Sequence, residues 1–196
     1  MRPSQIDLKN VTVGDLQSNA RGGKSAQLLA DGKQIRLKLR DVTTPFNCTA
    51  FDKQNTRRAL DIRTDKSLRE FCEKLDKAVL PFAKKLTCSE AGYKSLSKPQ
   101  REGYEPLFRQ KLTLDDTGNT PVKIFDEKRR RLSPAEIAGL EWKDLKMDIN
   151  LSINSVFVNA GNWGAVATPH SILVRNNEHC EFSDAESENL IRKNNA

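Results

Sequence analysis

The sequence predicts a mainly β protein of the α+β class, a small β-barrel into which one amphipathic helix, about residues 65–86, is inserted. Three observations predict it. Short runs with an apolar residue at every second position recur along the chain, most cleanly over 35–40 and 147–153. Turn residues (Gly, Asp, Asn, Pro) separate those runs. Only one long segment switches to helical period, and a parallel α/β sheet would need a helical crossover between most of its strands.

Residues 6–17, "IDLKNVTVGDLQ", read as an opening strand. Next comes "SNARGGKS", residues 18–25, which ends like a nucleotide-binding P-loop. That loop requires glycine where Ser18 stands, and a helix after it, whereas hairpin sequence follows. A glycine turn remains, or a cationic loop in which Arg21 and Lys24 touch phosphates without cutting them. In "SAQLLADGKQIRLKLRDV", Asp31-Gly32 suits a two-residue turn with both φ angles positive. On its second arm Ile35, Leu37 and Leu39 point to one face. Arg36, Lys38 and Arg40 point to the other, with Lys33 just before them.

Pro45 interrupts the chain, and "RALDIR" (58–63) reads as a short strand with Leu60 and Ile62 inward. In the helical segment Leu68, Phe71, Cys72, Leu75, Val79 and Phe82 form one stripe. Thr64 or Asp65 is placed to cap its start, and Pro81 to end its regular part. Residues 87–106 read as loop or weak helix, and 107–133 as strand, turn, strand. Ser133-Pro134-Ala135-Glu136 is a capping box for a short helix that stops near Gly139. "KMDINLSINSVFV" (146–158) is the strongest strand, its alternation breaking near Ser155 as a β-bulge would. "NAGNWG" turns the chain and "AVATPHSILVR" returns as its partner. Residues 1–175 thus form one domain, and 176–196 a polar, mildly acidic tail.

The formal net charge is +7 and the sequence pI about 9.3, which favours polyanions: nucleic acid first, then an acidic membrane surface, then an acidic protein. No apolar run approaches the roughly 20 residues that span a bilayer. The N-terminus lacks an apolar signal core, so an intracellular, non-secreted protein with reduced thiols is expected. Cys48, Cys72, Cys88 and Cys180 form no C-x-x-C pair. The two histidines, His170 and His179, offer no nucleophile–base or metal pattern, and no pair of acids stands out. A non-enzymatic protein without cofactor or metal is expected.

Three features favour nucleic acid: the row Arg36, Lys38, Arg40; the cluster Lys128, Arg129, Arg130, Arg131; and the aromatics Phe46, Phe51, Tyr104 and Trp163 near basic or glycine positions. Single-strand binders combine a cationic track with aromatic platforms that stack bases. Duplex readers usually present a recognition helix, and the helix here carries both signs of charge. Arg36, Lys38 and Arg40 are therefore expected to form the track, Arg21 and Lys24 a phosphate clamp, and Phe46 and Trp163 the stacking platforms. Lys128, Arg129, Arg130 and Arg131 would extend the rim. RNA as the ligand, or a structural role in which the basic face meets an acidic partner in a virion or scaffold, stays open.

The order of motifs resembles the OB-fold single-stranded-DNA-binding proteins of tailed phages and their relatives in large DNA viruses of eukaryotes. The resemblance runs over most of residues 6–175. It is carried by "GGKS" leading into a hairpin, "TTPF" followed by "RALDIRT", the helix "LREFCEKLDKAVLPFAKK", "YEPLFRQKLTL", "KIFDEKRRR" and the strands around "GNWG". It implies an OB barrel that binds single-stranded DNA without sequence preference in replication, recombination and repair. It also implies replication proteins as partners, at sites of viral or nuclear DNA replication, and leaves a homodimer open. The phage relatives end in a strongly acidic tail with a terminal aromatic residue. Here Phe182 is internal and the chain ends in "RKNNA", which puts tail-mediated recruitment in doubt.

Overall fold

The computed structural model describes residues 2–18, 23–50, 57–98 and 105–175. Arg21, Phe51, Tyr104, His179, Cys180 and the tail lie outside the described residues. In chain order the elements are β1 (Val11–Val13), β2 (Gln17–Ser18), β3 (Lys24–Ala30), β4 (Ile35–Thr43), β5 (Thr49–Ala50), β6 (Arg57–Arg63), α1 (Lys66–Val79), β7 (Ser97–Lys98), β8 (Leu107–Thr113), β9 (Lys123–Phe125), α2 (Pro134–Ala138), β10 (Lys146–Asn159) and β11 (Asn162–Arg175). The protein is mainly β with one long inserted helix, as expected. A seven-stranded sheet follows the order β1-β3-β10-β11-β9, with β2 on β3 and β4 on β10. A second sheet runs β5-β6-β8-β7. The ladders of the described residues do not close a ring, so the OB-like barrel is an open one.

Strand β10 organises the first sheet. Its alternation buries Met147, Ile149, Leu151 and Ile153. β11 pairs with it from Asn159↔Asn162 to Lys146↔Arg175, with register shifts at 150/151 and at 153/155, the second where the pattern breaks. Its other edge takes two strands end to end, β4 along 146–153 and β3 along 155–158. The Asp31-Gly32 turn forms as expected, with φ of 49° and 69°, and Ala30 and Lys33 exchange two backbone hydrogen bonds of 2.9 Å. The hairpin ladder beyond it does not form, because β3 and β4 give their next hydrogen bonds to β10. A second expected hairpin also separates. β8 joins β6 in the second sheet, while β9 runs parallel to β11.

One buried cluster draws on both sheets and the helix. Leu68, Phe71, Cys72, Leu75 and Val79 of α1 face it, as do Leu60 and Ile62 of β6. Each such side chain contributes about 1.5–3 kcal/mol on burial. Asp65 Oδ1 accepts from the Leu68 N–H at 2.7 Å, capping the helix, and Pro81 sits in the 3-10 turn Leu80–Phe82 that follows it. The capping box at Ser133 and Glu136 forms as the sequence specifies. Burial pushes the thiols of Cys48 and Cys72 up to about 12, which leaves both as packing residues at neutral pH. No helix among the described residues is long and apolar enough to cross a membrane.

Candidate nucleic-acid interface

The four-stranded sheet has one apolar and one cationic face. In β8, Phe108, Gln110 and Leu112 are buried, whereas Arg109 and Lys111 alternate with them and turn the other way. Across the ladder, Arg109 stands opposite Asp61 and Lys111 opposite Ala59, with Arg57 at the start of β6. The strap after α1, residues 93–98, adds Lys94 and Lys98. On the far side lie Gly23 and Lys24, where β3 begins, and the end of the β10–β11 hairpin with Phe157, Val158 and Asn159. Together they line a groove of about 880 Å³. Among the described residues, six cations line it (Lys24, Arg57, Lys94, Lys98, Arg109, Lys111) and no carboxylate does.

Asp61 lies beneath this lining, its side chain only 9% exposed. Arg109 donates to it through Nε at 2.8 Å and Nη2 at 2.7 Å, and Lys98 Nζ donates at 2.8 Å. Burial alone would raise its carboxyl, but these hydrogen bonds and the two charges hold it below the usual carboxylate range.

Trp163 fixes the strap. It is fully buried, so it cannot stack on bases, and the expectation of an exposed platform there is corrected. Its Nε1 donates to the Ser89 carbonyl at 2.8 Å, its own carbonyl accepts from the Lys94 N–H at 2.7 Å, and its ring meets Tyr93 edge-on at 4.8 Å. The glycines around it permit close backbone approach rather than exposure. A Cβ on Gly92 would lie 2.0 Å from the Gly161 carbonyl oxygen, and one on Gly164 2.2 Å from that of Lys94. Tyr93 Oη donates to Asp76 on α1 at 2.7 Å, and burial raises both groups. Phe157, paired across the hairpin with Gly164, and Tyr93 are the half-buried aromatics among the described groove residues.

The other expected site residues do not gather here. Arg36, Lys38 and Arg40 lie on the outer face of β4, where the alternation placed them. Lys38 and Arg40 share a shallow depression there with Phe125, Glu127, Arg129, Asp148 and Arg175. Arg40 and Arg175 both pair with the buried Asp148, and Arg175 also reaches Asp41 at 2.6 Å. Much of that cationic charge is therefore compensated. Arg130 is held by Asp126 at 3.0 Å and Glu136 at 2.8 Å. Lys128, Arg129 and Arg131 are exposed around the same turn, and Lys33 follows the Asp31-Gly32 turn. Phe46 is 52% exposed in the loop after β4, outside the groove lining. Of the expected set, Lys24 alone among the described residues lines the groove. Arg57, Lys94, Lys98, Arg109, Lys111 and Phe157 were missed, although "FRQKL" carries the same alternation as "IRLKL".

No family model matches the sequence, and no curated protein matches it. Solved structures do. The single-stranded DNA-binding protein of bacteriophage Enc34, in a C-terminally truncated form, is 14% identical, covering 86% of this chain and 96% of its own, with a TM-score of 0.49. The same phage protein in complex with ssDNA is 13% identical over 84% of this chain and 96% of its own, TM-score 0.48. The single-stranded DNA binding protein gp2.5 of bacteriophage T7 is 8% identical over 80% and 94%, TM-score 0.46. These neighbours are phage proteins and lend no support to the eukaryotic-virus side of the resemblance.

Proposed function

We propose that the protein binds single-stranded DNA without sequence preference, along the groove between the four-stranded sheet and the β10–β11 hairpin. The observation that carries this is the convergence of six cations from four separate segments on one groove where no carboxylate is found among the described lining residues. Such a groove tracks phosphates, and phosphate contacts carry no sequence information. Phe157 offers a face on which any base stacks. Arg36, Lys38 and Arg129, exposed outside the described groove lining, extend the cationic field without forming the track. Covering and organising single strands during replication, recombination and repair is the role that fits such binding. The structural neighbours, overlapping at TM-scores below 0.5, carry no part of this proposal.

The test is anisotropy of labelled oligo-dT titrated with protein across a salt series. Binding that weakens steeply with salt, with duplex DNA of equal length bound more weakly, is the expected result. Equal affinity for duplex would overturn the single-strand assignment. Tighter binding of a matched RNA strand would move the ligand to RNA.

A further inference from the structure

We propose that Asp61 is a positioning residue that builds a phosphate clamp from Arg109 and Lys98 at the floor of the groove. The proposal rests on the groove being a single-strand track. Bulk electrostatics gives a carboxylate under a polyanion site the wrong sign, so its presence there needs a reason. The geometry supplies one. Asp61 sits directly opposite Arg109 across the β6–β8 ladder. It takes the Nε–Nη2 edge of the guanidinium side-on, at 2.8 and 2.7 Å, which fixes the plane of the group. The same carboxylate accepts from Lys98 Nζ at 2.8 Å. Two cations from different strands are thereby held side by side, at 37% and 38% side-chain exposure, while the acid that holds them is 9% exposed. A tetrahedral phosphodiester, with two anionic oxygens, matches two fixed adjacent cations better than two mobile ones, because their side-chain entropy has already been given up in folding.

The experiment is oligo-dT binding by Asp61→Asn and Arg109→Lys in the full chain, with melting curves recorded for each. Asparagine keeps the shape, removes one negative charge, and turns an amide N–H₂ toward one of the two cations. If Asp61 acted only through its charge, Asp61→Asn would bind about fivefold tighter in 0.1 M salt, the gain from one more released counterion. The clamp predicts the opposite sign: binding about tenfold weaker, the loss of one well-aligned charged hydrogen bond. Arg109→Lys keeps the charge but loses the fork, and is expected to weaken binding comparably with the salt slope unchanged. Asp61→Asn binding as well as wild type or tighter overturns the clamp and leaves the groove assignment standing. Wild type that fails to bind oligo-dT overturns both. Should Asp61→Asn fail to fold, Arg109→Lys decides: undiminished affinity overturns the clamp.

Discussion

Replacing Lys24, Arg57 and Lys94 together by alanine tests the groove most directly. All three line it, and none has an ion-pair partner among the described residues, so their loss strands no buried carboxylate among those residues. Single-strand binding loses about 0.7 in the slope of log K against log salt for each phosphate neutralised. Six lining cations therefore predict a slope of about −4 for wild type, and the triple variant one of about −2. At 0.1 M salt the three lost contacts correspond to roughly a hundredfold weaker binding. Stability should hardly change, because the substitutions remove no buried apolar contact. The assay is anisotropy of labelled oligo-dT at five or so salt concentrations, beside Arg36→Ala with Lys38→Ala as a control outside the groove lining. A triple variant that keeps the wild-type slope, or a double control that loses more of it, would refute the assignment of the track to the groove.

Gly164→Ala places a methyl 2.2 Å from the Lys94 carbonyl oxygen, so the strap must shift. It is expected to lower both melting temperature and oligo-dT affinity; a variant unchanged in both would show that the strap does not position the groove. Asp65→Ala removes the side-chain cap on Leu68 and should cost about 1 kcal/mol in urea unfolding, with affinity retained. Both tryptophans, Trp142 and Trp163, are buried, so iodide should leave their emission nearly unquenched with or without oligo-dT. Asp61, whose carboxyl is depressed in the folded state, contributes stability that is present above its unfolded value and lost as pH falls through its folded one. The gap in melting temperature between wild type and Asp61→Asn should therefore close in acid; a gap independent of pH would contradict the assigned charge state.

Local pattern was legible wherever one face of a strand is buried. Ile35, Leu37 and Leu39, and Met147 through Ile153 in alternation, were read correctly because period 2 needs no knowledge of the partner. The helix was read to its cap and its stop, since both are encoded within a few residues. Pairing was not legible. The Asp31-Gly32 turn says that the chain reverses, not that its arms continue as a ladder, and β10 lies far along the chain. The groove failed for the same reason. Its cations come from β3, β6, the strap and β8, and only pairing brings Arg109, Lys98 and Arg57 onto one surface. Trp163 misled for another reason. Its flanking glycines suggested an exposed turn, but they are there because a second backbone segment passes where side chains would have been.

The edge of β10 that hosts β4 and β3 end to end has a consequence for the order of events during synthesis. Arg40 and Asp148, paired in the finished sheet, are 108 residues apart in sequence. Until the ribosome has released residues 146–159, β4 has no strand to rest on and β3 has only the short β1 and β2, and their apolar faces must wait. The chain should then fold slowly and late, as topologies dominated by distant pairings do. Chains truncated before residue 146 should emerge unfolded and sticky, a nascent state in which the alternating cations of β4 serve first to keep the waiting strand soluble.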